Sequence, residues 1–225
     1  GGNNVAVGSY SLRDNTGDDN TATGWCALSS NTTGAQNSAN SNYSLRSNTT
    51  GKFNTAIGRS ALQANLTGCC NTAVGRSALG GNTTANDNTA VGHTALDANT
   101  TGASNTAVGK DALCANTTGG SNTAVGTLTL TANTTGALNT AVGINALTAN
   151  TTGKCNVAAG ALALNKNTTG DFNTAFGFCS LRCNLTTDQN TAIGAFALNK
   201  NEANSNTVVG NCALFANTTG AGNVS

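Results

Sequence analysis

The sequence predicts an all-β chain, a parallel β-solenoid (a β-helix or β-roll) of about thirteen seventeen-residue coils, and three observations carry that expectation. The first is a period. With the Asn of NTAVG as position 1, coils begin at Asn4, Asn20, Asn37, Asn54, Asn71, Asn88, Asn105, Asn122, Asn139, Asn156, Asn173, Asn190 and Asn206, and Asn223 opens another. The spacing is seventeen throughout, except that the coils from Asn4 and Asn190 are one residue short. Second, the unit is too short for helical-hairpin repeats, which need about 33 residues, and it lacks a long 3.6-residue apolar stripe. Third, Gly and Asn recur at fixed offsets, as corners between short extended segments.

Each position has its own reading. Position 1 is Asn in every coil. Positions 2 to 4, mostly Thr-Ala-Val, suit a short strand. Side chains alternate along it, so either Val at position 4 points inward with Thr, or Ala does and a Thr-x-Val face lies outside. One side of the strand is an outward apolar stripe in both cases, and such stripes usually pack against something. Position 4 and the Leu at position 9, present in all thirteen coils from Leu12 to Leu214, are the expected packing stripes. Position 5 is Gly except for Ser41 and makes the turn. Position 12 is Asn in all thirteen coils, usually followed by Thr-Thr-Gly. Both Asn columns are expected to form ladders of stacked amides. Positions 6, 7, 10, 16 and 17 tolerate almost any residue.

Stacking is required energetically. Ordering seventeen residues costs roughly 1 kcal/mol or more apiece, whereas one or two buried aliphatic side chains return about 1.5–3 kcal/mol each. A lone coil cannot fold, and only neighbours supplying ladder hydrogen bonds and a continuous core make up the difference.

The phrase NTAVGxxALxxNTTG, with its core in Ala73-Val74-Gly75 and Ala192-Ile193-Gly194, resembles the repeat regions of large phage-tail-fibre-like and bacterial surface proteins that often end in an intramolecular chaperone domain. More distantly it resembles the heads of trimeric autotransporter adhesins. The resemblance spans essentially the whole chain. It implies an extended, extracellular structural or adhesive fibre, and brings no catalytic or ligand residues with it.

Composition excludes several classes. Only 8% of residues are charged, against about 25% in typical usage, and the net charge is +1. Ten scattered Lys and Arg offset by nine acids make no phosphate-binding patch, so nucleic acid is not an expected partner. No apolar stretch approaches the roughly 18 residues of a membrane span. The chain opens and closes inside the repeat. Residues 1–225 are therefore expected to be a single repeat domain, a slice of a longer or end-to-end assembled array.

Catalytic and metal-binding constellations are thin. His93 is the only histidine and sits at a variable position, expected as an exposed loop residue. Asp14, Asp18 and Asp19 read as a solvated corner. The calcium-binding β-roll pattern, the P-loop, G-x-S-x-G and C-x-x-C are all missing. No enzyme, cofactor or metal is expected. The eight cysteines, Cys26, Cys69, Cys70, Cys114, Cys155, Cys179, Cys183 and Cys212, never occupy the same position in adjacent coils, so no disulfide ladder forms.

Two surface patterns remain. N-x-[ST], the N-glycosylation acceptor, recurs at position 12 in Asn31, Asn48, Asn65, Asn82, Asn99, Asn116, Asn133, Asn150, Asn167, Asn184 and Asn217, with off-register copies at Asn42 and Asn223. These Asn are the candidate glycan carriers. Thr also forms a near-complete rank at position 2, in Thr55, Thr72, Thr89, Thr106, Thr123 and Thr140, and a second at positions 13 and 14. Ranks of Thr on a low-charge solenoid face are a recurrent solution to ice binding. The expected function is thus a non-catalytic structural segment of an extracellular fibre, stalk or adhesin-like appendage, N-glycosylated on a regular Asn column. Its partners would be other copies of itself. Ice binding through outward, uncovered Thr ranks is the alternative.

Overall fold

The chain forms two compact units, residues 1–118 and 119–225, and the computed structural model describes residues 2–225 of them. Both units are parallel β-solenoids, and among the described residues there is no helix.

In the first unit, each coil contributes one strand at positions 2–4: β1 (Val5–Val7), β2 (Thr21–Thr23), β3 (Ser38–Asn40), β4 (Thr55–Ile57), β5 (Thr72–Val74), β6 (Thr89–Val91) and β7 (Thr106–Val108). Each pairs in parallel with the next, and identical positions face one another, as in Thr72↔Thr89, Ala73↔Ala90 and Val74↔Val91. The second unit repeats the arrangement in β8 (Thr123–Val125), β9 (Thr140–Val142), β10 (Val157–Ala159), β11 (Thr174–Phe176), β12 (Thr191–Ile193) and β14 (Thr207–Val209). Within the short coil from Asn190, β13 (Lys200–Asn201) pairs with β15 (Ala216–Asn217) of the coil from Asn206, a second small parallel ladder at positions 11 and 12.

The Ala of each regular strand is fully buried, and the flanking Thr and Val reach solvent. The expected core at position 4 is therefore corrected: the Val and Ile stripe is external, with Val91 36% and Ile57 44% exposed. The interior consists instead of Ala at positions 3 and 8, Leu at position 9 and the two Asn columns. A coil of seventeen residues closes too tightly for two rows of β-branched side chains, and Ala lets the strand approach the opposite wall.

Closure depends on left-handed backbone. Every Leu at position 9 has φ between 43° and 53°, and the residues at position 7 and at the end of each coil are also left-handed. A β-branched residue at such φ is a genuine outlier, which explains why position 9 is Leu and never Val or Ile. Position 5 is the most demanding corner. Gly75 has φ +135°, and a Cβ there would lie 2.4 Å from the Gly92 carbonyl oxygen of the next coil.

Backbone bonds run in both directions along the stack. In the coil from Asn71, Thr72, Leu79, Gly81 and Thr83 donate to the next coil, while Gly75, Ser77 and Asp87 donate to the preceding one. Backbone groups in this coil thus find partners on both sides, as buried backbone must.

Candidate functional site

The buried polar columns decide what the surface can carry. At position 1, Asn54 donates its backbone N–H and its Nδ2 to Asn37 Oδ1 at 3.0 and 3.1 Å, and Nδ2 also to the Gly68 carbonyl at 2.8 Å. At position 12, Asn65 Nδ2 donates to Asn48 Oδ1 at 2.7 Å and to the same Gly68 carbonyl at 3.0 Å. The expected amide ladders are present in both columns, and they run through the interior. An interior amide needs this completeness, since each unpaired buried polar group costs about 1–3 kcal/mol.

The Asn side chains expected at position 12 as glycan carriers lie in that interior. Asn31, Asn48, Asn65, Asn82, Asn99, Asn116, Asn133, Asn150, Asn167 and Asn184 are fully buried, and Asn217 is 8% exposed. A sugar on Nδ2 would replace a bonded hydrogen and push a bulky polar group into the coil. Asn and Thr recur there because amide and hydroxyl both join coils: Thr32 Oγ1 donates to the Thr49 carbonyl at 2.9 Å, and Thr49 Oγ1 to the Leu66 carbonyl at 2.9 Å. The position-13 Thr hydroxyls are thereby committed to the stack. The off-register Asn42 is different. It is exposed, and its side chain accepts only from the Trp25 N–H, at 3.1 Å.

The outward face of the strands is the most regular surface. Among the described residues, no protein group hydrogen-bonds the hydroxyls of Thr55, Thr72, Thr89, Thr106, Thr123 or Thr140. Positions 2 and 4 carry no Asp, Glu, Lys or Arg in any coil. The rank is interrupted at β3, where Thr23 Oγ1 donates to Asn40 Oδ1 at 2.6 Å and Asn40 Nδ2 donates to Ser38 Oγ at 3.2 Å.

Elsewhere the variable positions hold scattered groups. His93 is exposed as expected, with Nδ1 3.1 Å from Thr94 Oγ1. Thr94 donates to Asp111 in the next coil and holds that carboxyl below its ordinary range. Burial pushes the Asp97 carboxyl up, opposed by His93, and pushes the Cys114 and Cys179 thiols up. Among the described residues the eight cysteines form no disulfide. Aromatic side chains pack edge-on across coils, exposed Trp25 on half-buried Tyr43 at 4.7 Å and exposed Phe178 on half-buried Phe196 at 5.2 Å. In the second unit a cavity of about 270 Å³ is lined by Lys166, Cys183, Leu185, Lys200, Asn201 and Glu202. Among the described residues no group of three His, Cys, Asp or Glu could hold a metal, and no helix is long and apolar enough to cross a membrane.

The fold and its columns define a class, the parallel β-solenoids with amide-laddered interiors. No protein family matches the chain, and no curated protein does.

Proposed function

We propose that this chain is a non-catalytic structural segment of an extracellular fibre, stalk or adhesin-like surface appendage. The observation that carries this reading is the repeated commitment of the same positions to coil-on-coil stacking: Ala, Ala, Leu and two Asn inside, with charge and bulk confined to outward positions. Such a design converts chain length into ordered length, one strand spacing of about 4.8 Å per coil. The resemblance of NTAVGxxALxxNTTG to fibre and surface-protein repeats supports the same reading. Immunogold labelling of the source cell or particle, with antibody raised against the purified chain, tests it. Label distributed along surface appendages is the expected result, and label confined to the interior contradicts it.

A further inference from the structure

The structural role does not explain why the strand face stays free of charge. In the first unit, β4 to β7 present Thr55, Thr72, Thr89 and Thr106 in one outward rank, with Ile57, Val74, Val91 and Val108 in another beside it. Strand pairing keeps them in exact register. Hydroxyls therefore recur about 4.8 Å apart along the stack, and the aliphatic rank runs about 6.6 Å away along the strand direction. The two-dimensional array recurs in β8 and β9 of the second unit.

We propose that this Thr-x-Val face binds ice. A partner of the face must be neutral, because positions 2 and 4 lack charge in every coil while other outward positions carry it freely. It must also repeat in two dimensions, because the face does. A neutral peptide strand or glycan chain meets the second condition along one line only, and an ice plane meets both. Each Thr hydroxyl can donate and accept and is unengaged by protein, so it can hold a lattice water from either side. The neighbouring aliphatic rank adds no competing donor or acceptor. Rigidity supplies the rest. Ala at position 3 is locked in the interior, and the position-1 Asn immediately before each strand is held by its ladder bonds, so the array loses little freedom on binding.

This inference goes beyond the structural reading and can fail without it. The test is the gap between melting and freezing points of single ice crystals in solutions of the purified full chain, with T72K/T89K, T72V/T89V and, as an off-face control, H93K. Valine occupies position 2 natively at Val5 and Val157, so T72V/T89V keeps the fold, and thermal melting of every variant verifies it. The expected result is a gap for the native chain and for H93K, reduced in T72V/T89V and lost in T72K/T89K. A folded native chain with no gap overturns the proposal, as does an undiminished gap in T72K/T89K. Sedimentation showing a dimer that T72K/T89K dissociates also overturns it, because a second copy would then cover the face.

Discussion

Asn54 and Asn65 donate their side-chain amides to one shared acceptor, the Gly68 carbonyl oxygen, at 2.8 and 3.0 Å. The two Asn columns are thus tied to each other within a coil as well as to their own kind in adjacent coils. One carbonyl with two lone pairs closes the corner, and a Cβ on Gly68 would collide with Asn65 Oδ1 at 2.4 Å. Two Asn side chains and one backbone carbonyl are therefore a single structural unit spread across the repeat, and in the next coil Ala85 supplies that carbonyl to Asn71 and Asn82.

Removing one amide should break that unit. Asn65→Asp replaces a bonded Nδ2 with an oxygen facing Asn48 Oδ1 and the Gly68 carbonyl, and buries a charge. A loss of roughly 3–5 kcal/mol is expected, in line with uncompensated buried charges, read by chemical denaturation. Asn42→Asp, on an exposed side chain, should change stability by less than about 0.5 kcal/mol.

The inward assignment of Leu rather than Val is equally testable. Leu96 is fully buried and Val91 is 36% exposed. Leu96→Ala should cost about 2–5 kcal/mol, and Val91→Ala no more than about 1 kcal/mol. Equal losses in paired melting experiments would contradict the assignment.

Ser41 occupies the glycine corner with φ 137°, a region that side chains adopt only under strain of about 1–3 kcal/mol. Ser41→Gly should raise stability by about 1 kcal/mol once glycine's larger unfolded-state entropy is subtracted. Gly75→Ala should do the reverse, costing roughly 2–3 kcal/mol, because its Cβ would meet the Gly92 carbonyl oxygen. Both are read as shifts in denaturation midpoint.

Asp97 gives a pH dependence. Burial raises its carboxyl above the ordinary value of about 3.9 in the folded state. Its favourable contribution is therefore complete below the unfolded value and is lost as pH rises through the folded one. Asp97→Asn should be more stable than the native chain at neutral pH, and the difference should shrink as pH falls through that window. Denaturation curves at successive pH values check it, and a difference that grows on acidification would show the opposite sign.

Much of this fold is legible in the sequence, because a period of seventeen leaves few architectures and invariant Leu12 to Leu214 mark a core column. The orientation of the strand is not, since alternation permits either Ala73 or Val74 to face inward; the tight coil decides for the smaller side chain. The left-handed Leu at position 9 has a faint signal in the lack of any β-branched residue there. The position-12 column misleads in a definite way. Asn-Thr-Thr reads as a surface sequon, yet amide and hydroxyl are used to join coils, a choice visible only once the corner is seen to fold inward. The outward Thr rank at position 2 is one of the two alternatives that the sequence leaves open.

The most direct test of the interior ladder is side-chain amide hydrogen exchange, resolved by NMR on asparagine-labelled protein. Nδ2 hydrogens of Asn65, Asn82 and Asn99 should exchange far more slowly than those of Asn42, because both are bonded inside the coil in each column member. Exchange of the column at the rate of Asn42 would place position 12 on the surface and contradict the account.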